Sequence, residues 1–567
     1  MTPLSGLPVL LLDAQATASD PARGALLEIG WARWSADDAR ELPAAEVTAN
    51  VVAPPPGAVV PPAVARITGL RAAEWARGMA PALAWDRLRH AAGRVAPPPV
   101  PVVIHFARFE EPFLRALHER HGAGPFPFDL VCTHAIACRL LPELPRRTLR
   151  ALAGYFGAAV PPLRRSADHV AATAFVWRHL VALLAEREGV VDLAALHEWR
   201  ERPARRSPRC FPLPRERRLD LPDRPGVYRL LRAGGAVLYV GKAASLRQRV
   251  SGHFHAGAGE RALEMLTQAR DVSCTETGTA LEAALLEADE IKRLAPPFNV
   301  ALAAAGRAVW FATADLSRLR EGPDSEHTVG PLVSPAPVEA LSALRAVLAL
   351  GGTAAGPLAL RSRAVGVEPA YAPGPTCFAA GLARFVQEHG SVASTHAFLR
   401  LGAQLWARSR AATKSTPGPD DAGANEPRAE APRRPAWDAE RLTQALEETV
   451  VRAAHAVRRA RWLVRLSECS LAWAEPGAER LRLLEIRGGA VAARADLEPG
   501  TPVPVPPGHA RTLAERRAAF DVATFDRLRV LTTELRGLAA GATAVELRLG
   551  PHARLSRRRL QAVLRWV

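Results

Sequence analysis

Four apolar residues in a row, Val9-Leu10-Leu11-Leu12, end on Asp13, and a second run, Leu26-Leu27-Glu28-Ile29-Gly30, follows Ala14-Gln15-Ala16-Thr17. Runs of this kind read as strands covered on both faces, so the chain opens on an α/β layer. Further on, Val227-Tyr228-Arg229-Leu230-Leu231 and Ala236-Val237-Leu238-Tyr239-Val240 flank Gly234-Gly235, which predicts a β-hairpin. The period becomes helical over Ser245 to Phe254 and again over Leu281 to Leu294. On the second helix Glu282, Asp289 and Arg293 share a line read as solvated, whereas Glu287 lines up with Ala283, Ile291 and Leu294. A carboxylate on such a stripe costs desolvation unless a cation accompanies it.

Beyond residue 300 the pattern is mainly helical, with stretches over Val338 to Leu350 and Leu382 to Arg410. Ala412 to Pro435 is rich in Pro, Gly, Ala and charge and reads as a disordered linker. After it come an Arg-rich helix over Trp437 to Leu466, a hairpin over Leu481 to Ala493 turning at Gly488-Gly489, a helix over Leu513 to Leu538 and a strand over Val545 to Leu549. Between the first two segments Arg200, Arg202, Arg205, Arg206, Arg209, Arg215, Arg217 and Arg218 alternate with Pro203, Pro208, Pro212 and Pro214. Proline at that density rules out a regular helix. A linker with this charge suits a phosphate backbone, Arg205, Arg206 and Arg209 being its candidate contacts, although a solvated spacer from a codon-biased genome carries equal weight.

Composition sharpens the picture at one place. The chain has 4 Tyr, and only three Lys (Lys242, Lys292, Lys414) and three Asn (Asn50, Asn299, Asn425) in 567 residues. Two of the tyrosines, two of the lysines and Asn299 fall between residues 226 and 299, which points to chemistry there. A formal charge of +17 and a sequence pI near 10.8 favour a polyanionic partner. Six cysteines without a CxxC pair support neither a zinc site nor a disulfide framework and suit a reducing cytoplasm. A signal segment and an apolar span long enough for a bilayer are both missing from the pattern, so a soluble protein with no membrane association is expected.

Gly226-Val227-Tyr228, then Leu238-Tyr239-Val240-Gly241-Lys242-Ala243, the basic helix with Arg247 and Arg249, Leu285-Leu286-Glu287 and Pro297-Phe298-Asn299 together resemble the GIY-YIG nuclease domain, in its UvrC form, over residues 218–301. The resemblance implies Mg²⁺ (or Mn²⁺) held by Glu287, with Tyr239 or Tyr228 helping to activate water. It further implies that Arg249 stabilises phosphoryl charge, that Lys242 keeps a phenol acidic and that Asn299 closes the site by hydrogen bonding. Arg247 is a DNA-contact candidate on the same helix. His253 stands where UvrC proteins commonly carry a Tyr.

The N-terminal runs, with Ile67-Thr68-Gly69-Leu70, Val103 to Glu110 and Asp168 opening a helix, resemble the DnaQ-like (DEDD) 3′–5′ exonuclease domain over roughly residues 7–185, an RNase H-like fold. That resemblance implies metal ligands at Asp13, Glu110 and Asp168. Gln15 stands where the family has Glu, Glu110 where it has Asp, and Leu163 where it has the helical His. Losing a general base alone costs about 10²–10⁴-fold, so a dead or very weak exonuclease is expected.

The sequence therefore predicts an α/β and α+β multidomain chain. An exonuclease-like layer spans 1–185, an Arg/Pro linker 186–217, the nuclease domain 218–301, a mainly helical extension resembling that of Cho-type UvrC homologues 302–411, a linker 412–437 and an α+β module of unknown role 438–567. The expected function is Mg²⁺-dependent incision of DNA in nucleotide excision repair, in the bacterial cytoplasm on the nucleoid, with a UvrB-like protein as implied partner. Two rivals are an active 3′–5′ exonuclease and a non-catalytic DNA-binding scaffold.

Overall fold

The computed structural model describes residues 2–159, 161, 163–204, 207–255, 257–299, 308–350, 356–390, 392, 394–413, 437–475 and 477–565. The chain forms two compact units, one of residues 1–280 with 294–300, the other of residues 281–293 with 301–567.

In the first unit, β1 (Val9–Ala16), β2 (Leu26–Trp34), β3 (Thr48–Val51), β4 (Val100–Ile104) and β5 (Phe128–Cys132) make a sheet in the order β3-β2-β1-β4-β5. β1 runs antiparallel to β2 and parallel to β4, and β4 parallel to β5. This is the α/β layer that the apolar runs predicted. Alternate residues of β1 serve opposite cores, Val9 and Leu11 on one side, Leu10 and Leu12 on the other, which is why the run is continuous. The helices Ser166–Glu188 and Leu193–Glu201 close the first of these cores with Trp177, Leu180, Leu196 and Trp199. The expected linker from residue 186 therefore begins too early. Asp192 caps the second of those helices, and Arg139 donates to the carbonyls of Trp199 and Arg202. Arg205 and Arg206 lie outside the described residues.

The same unit contains a second, three-stranded sheet, β7-β6-β8, from β6 (Gly226–Leu231), β7 (Val237–Ala243) and β8 (Asp271–Glu276). Gly234 and Gly235 both adopt positive φ, as the predicted hairpin requires. The helix Glu260–Gln268 joins this domain to the N-terminal layer: Glu264 pairs with Arg150, Glu260 with Arg146, and Arg270 lies over the Tyr155 ring. Gln268 packs so tightly on Gly154 that a Cβ there would meet its Oε1 at 1.9 Å.

In the second unit, β9 (Trp310–Ala312), β10 (Leu319–Glu321) and β11 (Val329–Leu332) form a small sheet inside the expected helical extension. Its core takes Phe378, Leu382 and Phe385, and also Leu442 to Ala460 of the 28-residue helix Ala439–Leu466. That helix, placed by sequence in the last module alone, thus belongs to the extension for most of its length. The remainder is a five-stranded antiparallel sheet ordered β14-β13-β12-β15-β16, from β12 (Glu468–Ala474), β13 (Leu481–Arg487), β14 (Ala490–Leu497), β15 (Ala544–Arg548) and β16 (Arg554–Ser556). The predicted helix over Leu513 to Leu538 is two, Leu513–Ala518 and Val522–Gly541, the second capped by Asp521. The Ala412–Pro435 linker falls almost wholly outside the described residues. No described helix is long and apolar enough to cross a membrane.

Candidate active site

β6 and β7 pair so that Tyr228 faces Gly241 and Leu230 faces Tyr239. Side chains alternate along a strand, so both phenols stand on one face with Gly241 between them. Glycine is required: a Cβ at 241 would meet the Tyr228 hydroxyl at 2.5 Å and Tyr239 Cε1 at 2.8 Å. His253, at the end of the Leu246–Gly252 helix, completes the cluster, its Nε2 lying 2.5 Å from the Tyr228 hydroxyl and its ring 5.8 Å from that of Tyr239. Tyr228 is fully buried. Burial, and then the nearby Arg249 guanidinium, push the His253 pKa below the usual histidine range. At neutral pH the imidazole is neutral and able to accept the phenol proton across that bond.

Arg249 is exposed on the helix and Lys242 half-buried on β7 opposite Val227, in the alternate set from Tyr239 and Gly241. Arg247 donates through Nε to the Leu221 carbonyl. Asn299 clamps Val240: its Oδ1 accepts from the Val240 N–H at 2.9 Å and its Nδ2 donates to the Val240 carbonyl at 2.9 Å. Because β7 is an edge strand, these groups would otherwise lack a ladder partner. Glu287 is half-buried on the Ala280–Leu294 helix. Of the line read as solvated on that helix, Arg293 is exposed, but the other two members are not free in solvent. Glu282 is buried and paired with Arg494, and Asp289 pairs with Arg527, because the helix lays that face on the last module. Lys292, singled out for chemistry, instead bonds the buried Asp526 at 2.9 Å.

The N-terminal acids are arranged differently. Asp13 accepts from Gln15 Nε2 at 2.9 Å and its other oxygen lies 3.3 Å from His169 Nδ1. Burial pulls the His169 pKa down, but Asp13, with Asp168 and the Leu163 backbone, outweighs it and leaves it raised. Glu110 is buried beside Asp13 and its pKa is driven well above the usual carboxylate range by burial and then by that neighbour. The His105 pKa falls to about 3, through burial and then electrostatic coupling to the neighbouring imidazoles of His134 and His169. Asp168 instead accepts from the backbone N–H of Arg165 at 3.1 Å and lines a separate cavity with Leu163, Trp34 and Phe175. Asp13, Glu110 and Asp168 do not form a metal-binding cluster among the described residues. The cleft of about 650 Å³ that holds Asp13, Glu110 and His169 is rimmed by Arg146, Arg147 and Glu264.

Residues 224–300 match the family described as the UvrC-like GIY-YIG domain. The chain carries a UvrC-like GIY-YIG domain. A putative bifunctional exonuclease/endonuclease protein of Mycobacterium tuberculosis is 34% identical over 284 residues, 48% of this chain and 42% of that protein. The UvrABC system protein C of Sphingopyxis alaskensis is 51% identical over 83 residues, 14% of this chain and 13% of its own length. The chain thus spans less than half the length of the curated relatives it matches. The GIY-YIG endonuclease domain of Thermotoga maritima UvrC, solved with magnesium as its catalytic cation, is 30% identical over 15% of this chain and 94% of that one, with a TM-score of 0.14. The chain thus joins an N-terminal α/β layer to this GIY-YIG domain.

Within the GIY-YIG domain, Tyr228, Tyr239 and His253 are brought together, Arg249 acts on His253 electrostatically, and Asn299 holds the strand that bears Tyr239. Sequence reasoning missed His169 and Glu28. His169 directly follows Asp168, a visible signal once a histidine is sought near a lost one. Glu28 is buried and fastens the start of the Ser166–Glu188 helix by accepting from Arg165 Nε at 2.8 Å and the Ser166 N–H at 2.8 Å.

Proposed function

We propose that the protein is a divalent-metal-dependent DNA endonuclease whose cutting centre is the GIY-YIG domain, the exonuclease-like domain being catalytically silent. The single observation that carries this reading is the buried Tyr228 hydroxyl bonded to a neutral His253, on the face it shares with Tyr239. A phenol is a poor base unless its proton has somewhere to go, and the imidazole provides that acceptor. Which phenol faces the attacking water stays open between Tyr228 and Tyr239. Arg249, exposed at the same cluster, offers its fork of donors to a phosphoryl oxygen. Asn299 and Gly241 keep the strand and the rings in place.

Glu287 fits a hard cation as a half-buried carboxylate, the donor that Mg²⁺ or Mn²⁺ prefers. When bound, that ion would polarise the scissile phosphate and acidify a water. Silence of the first domain follows from its hydrogen bonding. Both Asp13 oxygens are engaged by Gln15 and His169, and burial and then Asp13 raise the Glu110 pKa well above the usual carboxylate range. An acid biased toward its protonated form and an acid satisfied by its own chain make poor ligands. Action in nucleotide excision repair beside a UvrB-like protein, in the bacterial cytoplasm, belongs to this proposal.

Supercoiled plasmid and an end-labelled oligonucleotide, incubated with the full chain and Mg²⁺, test it. Nicked circles are expected from wild type and from Asp13→Asn, and none from Glu287→Gln. A terminal ladder abolished by Asp13→Asn would mean that the first domain is the enzyme. A mobility shift without cutting would mean a scaffold.

A further inference from the structure

The helix Ala439–Leu466 changes character along its length. Its first ten residues carry Glu440, Glu447 and Glu448, whereas residues 449–467 carry Arg452, Arg458, Arg459, Arg461 and Arg465 and no acid. The chain has 57 Asp and Glu in 567 residues, so a stretch of that length would ordinarily hold about two acids, by the even spacing expected of a solvated face. Complementing the helix dipole explains cations in the last turn only, and Arg458 and Arg461 lie before it.

The neighbouring helix Thr395–Thr413 packs against this one through Gly402, where a Cβ would meet the Val450 carbonyl at 2.5 Å. That close approach leaves a shallow groove of about 380 Å³ between the two helices. Its walls include His396, Arg400, Arg458, Arg461, Trp462 and Arg465. The four arginines are exposed, Trp462 is half-exposed, and the Arg465 guanidinium sits 5.3 Å from the centre of the Trp462 ring. Burial, and then Arg529 and Arg536 of the Val522–Gly541 helix, hold Arg459 below the usual guanidinium range, so that side chain faces the core rather than the groove.

We infer that this groove is a DNA-binding site separate from the cutting centre, its arginines taking consecutive backbone phosphates and Trp462 stacking on an unpaired base. A row of guanidinium groups at helical spacing matches a polyanion, and an aromatic between them is the pattern of sequence-independent single-strand binding. Loss of this site leaves the chemistry of incision intact and weakens the grip on DNA.

The test is fluorescence anisotropy of the full chain with labelled 30-mer duplex and single strand, in EDTA so that cutting plays no part. Arg458→Glu/Arg461→Glu/Arg465→Glu is expected to raise Kd at least tenfold and to flatten the log Kd against log salt slope by about 2–3, one increment per lost phosphate contact. Trp462→Ala is expected to weaken the single strand more than the duplex. A charge-matched control at exposed strand positions, Arg482→Glu/Arg487→Glu/Arg554→Glu, should change Kd less than threefold. If both triple variants lose affinity equally, bulk charge and not the groove binds DNA. Wild-type affinity and slope in the groove variant would equally overturn the inference. Should the Glu variant fail to fold, the Gln version is measured instead, with at least a threefold loss expected and none refuting it.

Discussion

Lys292 is the cation that sequence composition marked for chemistry and that the structure places in a buried ion pair. Its Nζ lies 2.9 Å from Asp526 Oδ2 and donates to the carbonyls of Val522 at 3.1 Å and Ala523 at 3.4 Å. The Asp526 side chain is 1% exposed and that of Lys292 21%. Lys292→Met keeps the aliphatic stem and removes the charge, leaving a carboxylate far from water without its cation. Breaking a buried pair from one side costs about 3–5 kcal/mol, and the partial exposure of Lys292 argues for the lower end. For a unit of this size about 3 kcal/mol corresponds to a fall of roughly 6–12 °C in its melting transition. Scanning calorimetry of the full chain reads this, the relevant transition being the one that Leu535→Ala also lowers, since Leu535 is fully buried in the same core. Lys292→Met/Asp526→Leu should recover most of the loss, because the orphaned charge is gone. A single variant that melts within 1 °C of wild type would show the pair to be idle. A double variant as unstable as the single would locate the cost elsewhere.

Gly241→Ala drives a methyl into the Tyr228 hydroxyl; a destabilisation of about 1–3 kcal/mol and a loss of nicking on the order of 10²-fold are expected from thermal melts and plasmid cleavage. Asn299→Ala orphans the Val240 N–H and carbonyl on an edge strand, for which a loss of about 1–3 kcal/mol is expected in the same melts. The two clusters of the first unit carry histidines of opposite sign. His253 is depressed, so its contribution to stability is present above the unfolded value near 6.5 and is lost as pH falls through its folded pKa, and nicking should fade on the same acid limb; an acid limb unchanged in His253→Gln would count against this. His169 is raised, so its contribution is full below about 6.5 and is lost as pH rises through its folded pKa; melts of His169→Asn should lack that alkaline decline.

Sequence by itself determined the local pieces: the buried runs of β1 and β2, the Gly234-Gly235 hairpin, the helix bearing Glu287, and the family likeness carried by Tyr228, Tyr239 and Asn299. Each is a matter of period, turn chemistry or spacing among near neighbours, which a one-dimensional pattern records. Tertiary structure decided what each charged residue faces. Glu282, Asp289 and Lys292 read as a solvated or chemical set because their partners, Arg494, Arg527 and Asp526, lie more than two hundred residues away. Asp13 and Asp168 read as joint ligands, yet the backbone N–H groups at a helix start take one and a histidine one residue further on faces the other. The Ala439–Leu466 helix spans two cores for a similar reason: periodicity shows that a face is apolar and is silent about which neighbour covers it.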